Sequence, residues 1–235
     1  MCLMGCSDSN KPKESVPIDC TTTQCPQQRN FIIVYGDPGL SSHNAGRLFQ
    51  LAAQTHEREV KANVFPGVPS FRKDVDKLVV THISTVTALV NQLAVANVIY
   101  LAYFGHSWNT DIGPGVLYIG QNATPDTNLS NRQGNSSNTP VNVIPANYFR
   151  SDAQVRLFGC RGGYGTDSIA AQMANHLHLP VYGYSNSGGS LFTTDSSLGH
   201  GQRSVTQKDI DTKPPNNPNN IWLIPINGKP TFTKF

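Results

Sequence analysis

The stretch NVIYLAYFG (97–105) limits the fold of this chain more than any other part of the sequence. Its apolar residues follow one another without the alternation of a half-buried strand, which is typical of a strand covered on both faces of a parallel sheet. Three shorter runs also predict strands: FIIVYG (31–36), QVRLFG (154–159) and VYGYS (181–185). We therefore expect an α/β fold in which helices sandwich a mostly parallel sheet.

Helical segments alternate with these strands. Residues 41–58 and 166–179 carry apolar side chains at helical spacing, and Thr166 or Asp167 can cap the second segment. Residues 71–96 are expected to be helical overall. This alternation supports parallel strands joined by helical crossovers.

The remaining segments are shorter or polar. EVKANVF (59–65) and GVLYIG (115–120) predict two more strands, and residues 121–147 predict a long polar surface loop. NIWLIPINGKPTFTKF (220–235) predicts a small C-terminal β-hairpin that turns at Asn227-Gly228.

Composition sets the domain organisation and excludes some partners. The 235 residues predict a flexible N-terminal segment, 1–29, followed by a single domain, 30–235. The net charge is +3 and no run of Lys and Arg exceeds two residues, so we expect no nucleic-acid binding. Only 14% of the residues are charged, which favours a secreted or cell-envelope protein over a cytoplasmic one. No apolar run approaches the roughly 18 residues of a membrane span.

The five cysteines divide into a group of four and a single residue. Cys2, Cys6, Cys20 and Cys25 lie near the N-terminus, whereas Cys160 stands alone and fits a free thiol. Cys20 and Cys25 could close a small disulfide loop. Zinc binding by the four is the alternative, although they contain no C-x2-C pair.

The opening LMGC, followed by Ser-Asp-Ser, resembles the end of a bacterial lipoprotein signal. This resemblance implies membrane attachment through a lipidated Cys6, with residues 7–29 as a tether. Only five residues precede Cys6, fewer than the about 7–15 apolar residues that such a signal contains. The frayed N-terminus of a soluble protein is therefore the alternative.

Residues that could bind a ligand or take part in catalysis follow the predicted strands. In an open parallel sheet, ligands bind outside the carboxyl ends of the strands. Asp37, His106 and Cys160 follow three of these strands, and Ser185 with Asn186 lies at the end of a fourth. Neighbouring strands would place an imidazole beside a thiol, which can lose its proton to the ring and attack a carbonyl.

The glycines around the cysteine predict a backbone site for a developing negative charge. The backbone N–H of Cys160 and one just after His106 are candidate donors to the oxygen of an attacked carbonyl. Gly105, Ser107 and Gly159 form this candidate oxyanion site. The predicted helix that follows would add the positive end of its dipole close to the thiol.

Two segments resemble the caspase-like cysteine peptidases in their order, spacing and strand context: YFGHSW (103–108) and LFGCRGG (157–163). The histidine of the first segment precedes the cysteine of the second by 54 residues. That superfamily includes caspases, metacaspases and gingipain- and legumain-type enzymes, and this chain looks like a bacterial member over about residues 30–190. The resemblance implies a caspase–haemoglobinase-like three-layer fold and an endopeptidase with a His106/Cys160 dyad. It also implies a peptide or protein substrate, a monomer, and neither cofactor nor metal.

Two departures separate this chain from the caspases proper. Ser107 stands where the superfamily usually has glycine, and the caspase pattern Gln-Ala-Cys-Arg-Gly is half present, as Phe-Gly-Cys-Arg-Gly (158–162). Asp37 matches members that cut after Lys or Arg, which implies a preference for basic residues, although Asp37 can equally cap the next helix or shape the Asp-Pro-Gly turn. The further candidates for substrate binding are Arg161, Ser185, Asn186 and Trp108.

Two alternative functions stay open. Cys160 with His200 has the order of a papain-like pair, although papain-type enzymes place the histidine farther downstream, about 130–150 residues from the cysteine. A non-catalytic domain of the same fold could instead bind a partner at the same sheet edge. The other histidines are expected to serve no site: His176 and His178 lie in the last turn of a helix, and His43, His56 and His82 lie on helical or loop surface.

Overall fold

Nine strands, three α-helices and three short 3-10 helices form the regular structure of the residues that the computed structural model describes. It describes residues 27–37, 45–65, 67–109, 114–121, 124–131, 138–159, 161–184 and 232–234. In chain order the elements are β1 (Asn30–Tyr35), α1 (Ala45–Lys61), β2 (Lys77–His82), α2 (Val86–Leu93), β3 (Val98–Phe104), β4 (His106–Trp108), β5 (Val116–Tyr118), β6 (Asn128–Leu129), β7 (Phe149–Phe158), α3 (Ile169–Leu177), β8 (Val181–Tyr184) and β9 (Phe232–Lys234).

The central sheet has the strand order β2-β1-β3-β7-β8-β9. Its first five strands are parallel, and β9 pairs with β8 in the antiparallel direction. A second, antiparallel sheet has the order β4-β5-β6. The expectation of an α/β fold with a mostly parallel sheet is therefore confirmed.

Strand β3 lies in the middle of this sheet, and all seven of its residues are buried. Neighbouring β1 shows how the two faces are covered, because successive side chains of a strand point in opposite directions. Ile32 and Val34 belong to a core cluster that includes residues of α2 and α3. Phe31 and Ile33 belong to a second cluster with residues of α1. The continuous apolar pattern of 97–105 thus reflects a strand with an apolar core on each side.

The predictions for residues 59–65 and 71–96 were wrong in part. Helix α1 continues to Lys61, because Glu59 and Val60 are buried seven residues after the buried Ala52 and Ala53 and so extend the same broad helical face. The strand lies instead at β2, and only Val86–Leu93 is α-helical within the second segment. Strand β2 is the edge of the sheet and its residues are only partly buried, so its apolar pattern is weak.

The segment 121–147 is not a purely polar surface loop. It contributes β6 and short 3-10 turns, and Leu129, Val141 and Ile144 are buried in the core that contains α2 and α3. Of the predicted C-terminal hairpin only β9 belongs to the described residues. The N-terminal cysteines, including Cys6, lie outside them. Within the described part of the chain, no helix is long and apolar enough to cross a membrane.

His56 is buried, which corrects the prediction that it lies on the surface. Its Nε2 lies 2.7 Å from the Tyr100 hydroxyl, and its Nδ1 lies 3.7 Å from Glu59 Oε2. Aromatic rings enclose the imidazole, with the centroids of Phe65 and Phe158 at 4.6 and 5.1 Å. Burial, and then the charge of Arg156, lower the pKa of His56. Burial raises the pKa of Glu59 to about 8, so we infer that both groups are uncharged at neutral pH.

Replacement of Glu59 by Gln should remove a loss of stability at alkaline pH. The folded protein keeps a proton on Glu59 that the unfolded chain releases above the ordinary carboxyl value near 4.5. The stabilisation is complete below that value and is lost as the pH rises through about 8. Between pH 6 and 8 the free energy of unfolding of the wild type should fall by about 2 kcal/mol relative to Glu59→Gln. Urea denaturation across this pH range measures the difference.

Glu57→Gln is the matched control, because Glu57 lies on the same helix and its partly exposed side chain pairs with Lys61. The contribution of His56 is common to all three proteins, so it cancels in the comparison. Parallel pH profiles for the wild type and Glu59→Gln would show that Glu59 is ionised in the fold.

Candidate active site

The ends of β3 and β7 bring the two predicted catalytic segments together. The strands are parallel neighbours in which Phe104 pairs with Phe158, and the Gly105 N–H donates to the Phe158 carbonyl at 3.4 Å. His106 therefore follows β3 beside the segment that follows β7. Cys160 itself lies outside the described residues, whereas Gly159 before it and Arg161 after it are described.

Ser107 packs directly against Gly159. A Cβ added at Gly159 would lie 2.4 Å from Ser107 Oγ and 3.0 Å from the Gly105 carbonyl oxygen. One added at Gly162 would lie 3.2 Å from the same Oγ. The sequence predicted that these glycines form a backbone site for a developing negative charge. The structure adds a second role, because Gly159 permits close contact between the two strand ends.

The side chain of Arg161 joins the segment after β7 to strand β4. Its guanidinium lies over the Trp108 ring at 4.6 Å and over the Tyr164 ring at 5.5 Å. Arg161 Nη1 donates to the Asn109 carbonyl at 3.1 Å, and the Asn109 side-chain amide donates to the Tyr164 carbonyl. We call these four residues the arginine clasp. The predicted role of Arg161 and Trp108 in substrate binding stays a prediction.

Two further contacts position the turn that contains Arg161. A Cβ at Gly163 would lie 2.4 Å from the Gly183 carbonyl oxygen, so the turn rests on the backbone of β8. The Ala170 N–H donates to the Gly162 carbonyl at 3.0 Å, which joins the start of α3 to the same turn. Ser168 caps this helix through the Ala171 N–H, in place of the predicted Thr166 or Asp167.

An open cleft of about 440 Å³ lies beside the segments that follow β1 and β3. Its lining consists of Asp37, His106, Ser107, Trp108, Tyr118, Gly120 and Gln121. The Phe49 ring meets the imidazole of His106 edge-on at 5.0 Å. Four predicted site residues from two segments thus share one cleft: Asp37 after β1, and His106, Ser107 and Trp108 of β4. Ser185, Asn186 and His200 lie outside the described residues.

Asp37 has a partner that sequence analysis missed. His82 Nε2 lies 2.6 Å from Asp37 Oδ1, and the Asp37 N–H donates to the Ile119 carbonyl at 2.8 Å. His82 was expected to lie on the surface without a site, and its side chain is half exposed. The signal for this pair was available, because both residues stand at the carboxyl ends of strands. Recognising it required the position of β2, which the sequence pattern assigned to a helix.

Comparison of the chain with models of protein families, with curated proteins and with solved structures finds no match. The functional interpretation therefore depends on the geometry of this chain. The expected relationship to the caspase-like peptidases stays a prediction.

Gly159→Ala should destabilise the protein, because the added methyl group would overlap Ser107. Overpacking of this kind costs about 1–3 kcal/mol. Gly162→Ala is the matched control and should cost less, since its Cβ would lie farther from Ser107 Oγ, at 3.2 Å. Urea denaturation of both variants gives the free energies of unfolding.

A double-mutant cycle tests whether Ser107 is the residue that the methyl group meets. Ser107→Gly removes the overlapping atoms, so in its background Gly159→Ala should cost at least about 1 kcal/mol less. Additive effects of the two substitutions would contradict the contact.

Proposed function

We propose that this protein is a cysteine endopeptidase that uses Cys160 as nucleophile and His106 as general base. The observation that supports this most is the parallel pairing of β3 with β7, after which His106 and the flanks of Cys160 follow neighbouring strands. The contact between Ser107 and Gly159 supports a short distance between the two segments. The finer fold that we propose is caspase–haemoglobinase-like, with three layers and a C-terminal hairpin.

The proposed reaction is an acyl transfer in two stages. The His106 imidazole takes the proton of the Cys160 thiol, and the sulfur forms a bond to the carbonyl carbon of the scissile peptide. The resulting oxyanion accepts hydrogen bonds from backbone N–H groups at residue 160 and next to His106, with Gly105, Ser107 and Gly159 shaping the site. Collapse of this intermediate breaks the C–N bond, and the imidazolium gives its proton to the leaving amine. Water then hydrolyses the thioester with His106 again as base.

The cleft supports a substrate with a basic residue before the scissile bond. Asp37 shares the cleft with His106 and offers a carboxylate to a cationic side chain. Trp108 is 46% exposed and offers an apolar surface to neighbouring residues of the peptide. We further propose a monomer without cofactor that is secreted or attached to the cell envelope, with Cys6 as the lipid attachment point.

Cys160→Ala and His106→Gln should each abolish hydrolysis of fluorogenic peptides that carry arginine before the scissile bond. Loss of either member of the pair should lower kcat/KM by at least about a thousandfold. The wild type should be alkylated by iodoacetamide at Cys160, and His106→Gln should be alkylated more slowly, because the base that removes the thiol proton is missing. Peptide mapping identifies the labelled cysteine.

His176→Gln is the matched histidine control, because His176 bonds the Ile144 carbonyl on another part of the fold. His200→Ala tests the papain-order alternative. Activity that depends on His200 and not on His106 would replace the proposed dyad. Full activity of Cys160→Ala would exclude the cysteine mechanism, and a wild type inactive on all peptides would favour a non-catalytic binding domain.

A further inference from the structure

The Asp37–His82 pair lies at the end of two neighbouring strands and beside the cleft. Tyr35 of β1 and His82 of β2 are register partners, so Asp37 emerges next to the end of β2. The carboxylate is largely buried, with 17% of its side chain exposed, whereas 48% of the His82 side chain is exposed. The imidazole thus contacts the carboxylate while keeping an open side toward solvent.

The backbone at Asp37 is held firmly. The Gly36 N–H donates to the Phe104 carbonyl at 2.9 Å and the Asp37 N–H to the Ile119 carbonyl at 2.8 Å. A Cβ at Gly36 would lie 2.7 Å from the Tyr103 hydroxyl, so this stretch lies tightly on β3. Because the backbone is fixed, rotation of its side chain is the main freedom left to the carboxylate.

His82 restricts that rotation. Among the described residues, His82 is the one whose side chain hydrogen-bonds the Asp37 carboxylate, and it contacts the oxygen Oδ1. Within the described part of the chain no side chain hydrogen-bonds the other oxygen, Oδ2, so it can accept a second charge-assisted hydrogen bond there. A guanidinium or ammonium group in the cleft could form that bond without displacing the imidazole.

We propose that His82 is a positioning residue that orients Asp37 toward the cationic side chain of a bound peptide. The inference rests on the proposed function for the identity of the ligand, a peptide with arginine or lysine, and adds the residue that sets its affinity. Holding a rotatable carboxylate before the ligand arrives removes an ordering cost from binding. His82 acts through Asp37 and does not itself contact the reacting atoms.

A binding experiment tests the proposal without requiring catalysis. Two fluorescein-labelled tripeptide amides, one ending in arginine and one in its neutral isostere citrulline, are titrated into the Cys160→Ala protein by fluorescence anisotropy. The arginine peptide should bind more tightly, and Asp37→Asn should abolish this preference. His82→Ala should reduce the preference about three- to tenfold. His82→Gln should restore most of it, because the Gln amide can donate to Asp37 Oδ1.

Matched controls separate this role from general damage. Asp152→Asn removes an exposed carboxylate that pairs with Arg150, and His178→Asn replaces an exposed histidine at the left-handed end of α3. Neither should change the preference. An unchanged or larger preference in His82→Ala, or an equal weakening of both peptides, would overturn the role of His82.

A kinetic experiment adds a second readout in the protein with its thiol. His82→Ala should raise KM for an arginine substrate about three- to tenfold and leave kcat within about twofold, because the reacting atoms are not touched. A fall in kcat at constant KM would contradict a positioning role. The binding ratio in the Cys160→Ala protein keeps its meaning even if the peptidase activity is absent, so the two proposals can fail separately.

Discussion

The pairing of β3 with β7 is the interaction on which the rest of the candidate site depends. It places the ends of two buried strands side by side, and the contact of Ser107 with Gly159 extends this proximity beyond the ladder. Parallel strands alone would leave the loops after them free to diverge. Here the arginine clasp and the contact of Gly163 with Gly183 hold the second loop against β4 and β8. The segments that follow these two strands are thus fixed from several directions.

Much of the sheet could be predicted because its central strands are buried on both faces. The run 97–105 has the length of one strand and is rich in β-branched and aromatic residues, which favours a buried strand over a buried helix. The same holds for the strand ends: Asp37, His106 and Trp108 were predicted as site residues and share one cleft. Their order along the chain and the topology of a parallel sheet carried this information.

The errors fall where local pattern and tertiary contacts disagree. The edge strand β2 is only partly buried, so its sequence lacks a continuous apolar run and cannot be distinguished from the helical segment that follows. His56 and Glu59 are polar, yet both are buried on the side of α1 that packs against aromatic residues of the sheet. The role of His82 followed from β2 and was missed with it. A single sequence does not reveal such contacts, because they depend on which strand lies next to which.

The paired glycines 163 and 183 have a mechanical consequence. Backbone meets backbone there, so no side chain can change rotamer to absorb a shift of one segment against the other. Gly183 also pairs with Thr233 of the C-terminal strand β9. A displacement of β9 would therefore shift the backbone of β8, and β8 would in turn shift the turn that contains Arg161. Strand β9 is in this sense structurally coupled to the turn that contains Arg161.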